Sequence, residues 1–128
     1  MIEESAQQTL AKRLPHGTDA VTLAKRLVSM DDLQEQFDDA TFAFSQGEYG
    51  QAAAGFEAIL AADENHFDAR MSLSMALCRL EQYERAIEDY DEAIRLDPQD
   101  ALAYAGRAAA YEDLGQQELA DRDFAKAK

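Results

Sequence analysis

The sequence predicts an all-α array of stacked helix hairpins, on three observations. First, the stretch 83–100, YERAIEDYDEAIRLDPQD, sets Ala86, Ile87, Tyr90, Ala93 and Ile94 at helical spacing, one apolar stripe on a charged cylinder. Second, the pattern returns at a shift of 34 residues in both directions. Tyr49, Ala52, Phe56 and Ile59 lie upstream, and Ala120, Phe124 and Ala127 downstream, of Tyr83, Ala86, Tyr90 and Ala93. A fixed period of this length marks a repeat architecture. Third, the interruptions are helix stops: Gly47 and Gly115 suit left-handed caps, and Pro98 lacks an N–H and biases Asp97 away from the helical region.

In chain order, 2–14 reads as a helix, since Ile2, Ala6, Leu10 and Leu14 recur every fourth position before Pro15. Pro15-His16-Gly17 is a break, Thr18 or Asp19 can cap a second helix, and Ala20, Val21, Ala24, Leu27 and Val28 make its apolar stripe. TLAKRL occurs in both segments, beginning at Thr9 and at Thr22, and reads as two similar amphipathic helices covering apolar surface, the alternative being a basic tract that docks an acidic partner. Asp31 or Asp32, with Glu35 placed to reach back, predicts a capped start to a helix over 33–46 holding Phe37, Ala40, Ala43 and Phe44 inward. Its partner covers 49–62. Asp63-Glu64-Asn65-His66 is a polar turn, after which a third repeat helix runs to 80 with Met71, Leu73, Met75, Ala76 and Leu77. The fourth begins at Tyr83; Asp100 caps a fifth over 101–114, and 117–128 is the sixth. Connections of two to four residues leave antiparallel packing as the arrangement for neighbours.

Small residues explain how such helices approach. Ala40, Ser74 and Ala108 share one register position on the first helices, and Ala52, Ala86 and Ala120 share one on the second. Phe56, Tyr90 and Phe124 then fill the space between hairpins, each contributing about 1.5–3 kcal/mol when fully buried. No hairpin hides its stripe alone, so the stack is the folding unit.

Composition narrows the function. Twenty-six acids against 12 bases give a net charge of −14 over 128 residues, a field that repels nucleic acid and anionic membrane and favours basic or apolar partners. Residues 1–30 carry +1 and the remainder −15, so the N-terminal segment is a different piece of protein. No run has the length of a membrane span, and the first 30 residues lack the apolar centre of a secretory signal. The single cysteine, Cys78, fits a reducing compartment, and a cytoplasmic protein is expected.

Catalysis is not expected, and neither is a metal or cofactor. His16 lies in a turn and His66 at a helix start, neither with a Cys or His at ligand spacing. Cys78 has Arg79 beside it but no histidine base assigned nearby. The adjacent pairs Asp38-Asp39, Glu88-Asp89, Asp91-Glu92 and Glu112-Asp113 point in different directions on a helix and read mostly as solvated faces.

The helix pair with two fixed small positions, a bulky residue in the second helix and a proline turn resembles the tetratricopeptide repeat family. The middle unit matches best, through Tyr83, Ala86, Tyr90, Ala93 and Pro98; the first departs at Glu64, where proline is usual, and the last at Gln117, where an aromatic is common. The resemblance implies a right-handed superhelix of three repeats, 33–66, 67–100 and 101–128, behind two N-terminal helices in 1–30. It also implies a concave groove lined by Phe37, Thr41, Phe44, Met71, Met75, Cys78, Ala105 and Ala109, whose polarisable floor suits an apolar segment of a protein partner. One branch of the family holds the carboxylate tail of heat-shock chaperones with two Lys, two Asn and one Arg. The matching places here hold Phe37, Thr41, Ser72, Leu102 and Gly106, so that clamp is absent. The chain is also similar, in size and in helices preceding three repeats, to the small acidic chaperones of type III secretion. The expected function is a protein-interaction scaffold or adaptor; the alternatives are a chaperone for a hydrophobic client and an oligomeriser acting through residues 1–30. The third unit stops six residues short of a full repeat, so Leu119 and Phe124 are expected to be partly exposed, in a fragment or at a joining end.

Overall fold

The computed structural model describes residues 30–128. Six helices follow one another, α1 (Met30–Ser45), α2 (Tyr49–Ala62), α3 (Phe67–Arg79), α4 (Tyr83–Leu96), α5 (Ala101–Asp113) and α6 (Gln117–Lys126). No strand occurs among the described residues. The two helices expected in 1–30 lie outside the described residues, as does His16.

Each helix packs against its chain neighbours, α1 on α2 through to α5 on α6. The first helices of successive hairpins also pack together, α1 with α3 and α3 with α5, whereas the backbones of α2 and α4, and of α4 and α6, stay further apart, with α2 and α4 bridged at the surface by the Arg85–Glu57 ion pair at 2.9 Å. The first helices therefore line the inner side of a curved stack. The small-residue positions let this happen: Ala40, Ser74, Ala108, Ala52, Ala86 and Ala120 are all buried. Contact is close enough that a Cβ on Gly55 would lie 2.8 Å from the Cβ of Ala40, and one on Gly106 would lie 2.5 Å from the Tyr90 ring. Phe56, Ile59, Leu77 and Tyr90 fill the space between. Phe124 is half-buried and Leu119 exposed, as the outer position of α6 requires.

Two kinds of turn alternate. After α1, α3 and α5 the chain closes with a left-handed residue at Gly47 (φ 80°), Glu81 (φ 61°) and Gly115 (φ 76°). In the middle turn the Gln82 N–H donates to the Leu77 carbonyl at 2.9 Å and the Glu81 N–H to the Cys78 carbonyl at 3.0 Å, the six-to-one closure of a helix C-terminus. Between hairpins, Asp63 and Asp97 accept from the N–H groups of Asn65 and Gln99. His66 Nδ1 and Asp100 Oδ1 then accept from the amides of Ala69 and Ala103 and cap α3 and α5.

Boundaries differ from expectation in three ways, the smallest being that α6 ends at Lys126 and not at 128. Asp31 and Asp32 lie inside α1, in its first turn, not outside as caps, a place where carboxylates still complement the helix dipole. The first helices end one residue earlier than expected, at Ser45, Arg79 and Asp113, because the left-handed closure takes up the next residue.

Not every acidic pair is a solvated face. Asp89 is half-buried, and its Oδ1 accepts from Arg70 Nη1 on α3 at 3.0 Å. Burial pushes its carboxyl above the ordinary range while Arg70 pulls it back. Asp123, 34 positions on, is buried and receives both Nε and Nη2 of Arg107 at 2.7 and 2.8 Å. Arg107 Nη1 reaches back to Asp91 on α4 at 2.8 Å, so one guanidinium joins three helices. The two carboxylates hold its proton more tightly than a free arginine does.

Candidate functional site

The inner face follows from helical spacing on α1, α3 and α5: positions i, i+3, i+4 and i+7 share a side. On α3 these are Asp68, Met71, Ser72 and Met75, continued by Cys78 and Arg79. Where α1 and α3 meet, Thr41, Phe44, Phe56, Ser72 and Met75 surround a notch of about 140 Å³.

The notch gathers three of the eight expected groove residues, Thr41, Phe44 and Met75. Thr41 is exposed, and so is Met75, by 44%. Phe44 is half-buried and meets Tyr49 edge-on at 5.1 Å. The remaining five do not line it. Phe37 is held among other rings, 5.6 Å from Phe56 and stacked 5.7 Å from His66, and Met71 and Cys78 pack partly against the core. Ala105 is half-buried and Ala109 exposed, one helix further along. Phe56, expected between the hairpins, and Ser72, named only as a place matching the family's clamp, also line the notch. Ser72 was legible, since it lies three residues before Met75 and one helical turn from Asp68.

The notch is apolar but its surroundings are acidic. Asp38 and Asp68 share the inner stripes of α1 and α3, and Glu112 and Asp113 close that of α5. Gln34 donates to Asp38 at 2.9 Å, a neutral donor that does not cancel the carboxylate charge. Arg79, the cation of these stripes, lies 5.9 Å over the Tyr49 ring. Cys78 reports the local field: burial first, and then the charge of Asp113, raise its thiol pKa, with Arg79 acting the other way. At neutral pH it is a protonated thiol. Among the described residues no group of three or more His, Cys, Asp or Glu could hold a metal ion, and no helix is long and apolar enough to cross a membrane.

Comparison with known proteins places this geometry. A family model described as TPR repeat matches residues 76–115. DnaJ homolog subfamily C member 7 of Mus musculus is 34% identical over 98 residues, which are 73% of this chain and 20% of that protein. The chain spans a fifth or less of the curated relatives it matches. Among solved structures, the second TPR of Spaghetti (RPAP3), bound to the HSP90 peptide SRMEEVD, is similar with a TM-score of 0.71 and 28% identity, over 74% of this chain and 88% of that one. The Yersinia enterocolitica type III secretion translocator chaperone SycD shares the fold, with a TM-score of 0.77 and 20% identity, over 87% of this chain and 82% of that one.

Proposed function

We propose, from the premise that this chain carries tetratricopeptide repeats, that it is a protein-interaction scaffold whose inner face grips a segment of a partner protein. The carrying observation is the apolar notch among Thr41, Phe44, Phe56, Ser72 and Met75, set in a face whose charged residues are mostly carboxylates. The partner segment is one large apolar side chain for the notch, flanked by Lys or Arg for Asp38, Asp68 and Asp113. Steering by a net −15 over residues 31–128 then speeds encounter and weakens with salt. We take these residues as one three-repeat binding domain, non-catalytic and acting in a reducing cytoplasm.

The RPAP3 repeat holds an acidic peptide, SRMEEVD. Transfer of that ligand to this chain is not part of the proposal. The places that match the family's cationic clamp hold Phe37, Thr41, Ser72, Leu102 and Gly106, and an acidic tail would meet like charge.

The test is fluorescence anisotropy with two labelled peptides, a leucine flanked by lysines and SRMEEVD, against the wild-type chain and Met75→Asp. Met75 is exposed enough that the substitution leaves the stack folded, which circular dichroism verifies. The basic peptide binds, Met75→Asp weakens it by about 1.4 kcal/mol or more, a factor of ten, and SRMEEVD does not bind. Tight binding of SRMEEVD, or indifference to Met75→Asp, would sink the reading. A second reading, a chaperone holding an apolar client segment, uses the same notch. A client that precipitates alone and dissolves with this chain distinguishes it from an adaptor.

A further inference from the structure

Comparing equivalent positions of the three units uncovers a seat at the first hairpin. On α3, Ala69, Leu73 and Ala76 are buried, and on α5 so are Ala103 and Ala110. Their equivalents on α1 are Glu35, Asp39 and Phe42, all exposed, Phe42 by 66%. Since α1 has α2 just as α3 has α4, the missing cover is a preceding hairpin, which no described residue supplies. Beside this stripe lies a hollow of about 360 Å³ between α1 and α2, floored by Ala40, Ala43, Gly55 and Ala58. The places equivalent to Ala43 and Gly55 hold Leu77 and Asp89 in the second unit, and Tyr111 and Asp123 in the third.

We propose that the chain's own N-terminal segment, residues 1–29, covers this seat. Three observations select that occupant over a separate protein. The segment is joined to α1, so its local concentration at the seat is far above that of a free partner. It brings Ala20, Val21, Ala24, Leu27 and Val28 for Phe42 and the hollow, and Phe42 lies about 18 Å along α1 from Met30, within reach of a chain that doubles back. Its charge also fits, since Lys25 and Arg26 in a segment of net +1 meet a stripe carrying Glu35 and Asp39. The array then continues by one more layer, closing an edge that would otherwise leave a phenylalanine in water.

Hydrogen exchange of the full chain, read by mass spectrometry, tests this in wild type, Phe42→Glu and Leu27→Asp. Phe42 is exposed enough that its replacement spares the core. The expected result is protection of amides in 20–28 by about tenfold or more over the unstructured rate, since so short a segment holds no stable helix in isolation. That protection is unchanged on dilution and lost in both variants, while α3 to α6 keep theirs. Met75→Asp leaves it untouched, because the seat and the notch are separate. Unprotected amides in 20–28, or protection that survives Phe42→Glu, would overturn the proposal. So would protection that disappears on dilution, which would assign the seat to a second copy.

Discussion

Glu81 holds φ 61° at the turn where its repeat equivalents Gly47 and Gly115 hold 80° and 76°. An L side chain in that region crowds its own carbonyl, and glycine does not. A Cβ at Gly47 or Gly115 would meet nothing within 4 Å, so the difference between the three turns is conformational and not a matter of space. Glu81→Gly is therefore expected to stabilise the chain by about 1 kcal/mol in urea melts, after the added entropy of the unfolded glycine is deducted. Gly115→Ala should destabilise it by a similar amount. The glycines announced their turns in the sequence, and Glu81 did not, because a left-handed glutamate is imposed by the six-to-one closure around it. Aligning the three turns at the 34-residue period was the signal that could have found it. Tyr90 gives a pH prediction. Its buried phenol ionises above the ordinary value of 10.0 in the folded chain, chiefly because burial disfavours the anion. Between the unfolded and folded values the unfolded chain binds fewer protons, so stability falls as pH rises past that ordinary value. Tyr90→Phe should lose less stability than wild type between about pH 8 and pH 11. Equal losses would mean that Tyr90 does not titrate on unfolding.

At the scale of the element, the helix starts are of two kinds. His66 and Asp100 accept a side-chain hydrogen bond from the third residue of α3 and α5, whereas Glu48, Gln82 and Gln116, before α2, α4 and α6, make no such bond. The second helices start straight out of the left-handed turn, where the chain direction is already set. Asp100→Ala should therefore destabilise by about 1 kcal/mol and Gln82→Ala by only a few tenths. Comparable effects in chemical melts would show that the capping bond adds nothing. These element boundaries were legible because Gly47, Pro98, Asp100 and Gly115 are local instructions, read from one or two residues. The notch was less legible, because it depends on which side of each inner helix is already spent. Phe37 and Phe44 share a helical face with Thr41, yet Phe37 is taken up by Phe56 and His66 and only Phe44 reaches the notch. Spacing assigns a face; rings arriving from neighbouring helices decide what remains open.

For the molecule as a whole, stability is a chain of neighbour couplings, and Arg107 is where three helices depend on one side chain. Its guanidinium holds Asp123 of α6 by two hydrogen bonds and Asp91 of α4 by one, with 17% of the side chain exposed against 4% for Asp123 and 52% for Asp91. None of these pairs was read from the sequence, since the partners are 16 positions apart and meet only after the hairpins stack. The recurrence of an aspartate at 89 and 123 was the available hint. Truncating Arg107 leaves the Asp91 carboxylate in water at little penalty but strands that of Asp123 inside the stack. Arg107→Ala is therefore expected to remove about 3 kcal/mol or more, most of it from the uncompensated Asp123 charge. In a stack coupled only through neighbours the loss stays near its origin. Hydrogen exchange should accelerate strongly in α5 and α6 and little in α1 and α2. Arg107→Met combined with Asp123→Leu should recover most of the stability, because it removes the buried charge together with its partner. A uniform acceleration from α1 to α6 would mean instead that the array unfolds as a single cooperative body, and the partner-binding notch on α1 and α3 would then share the fate of the distant α6.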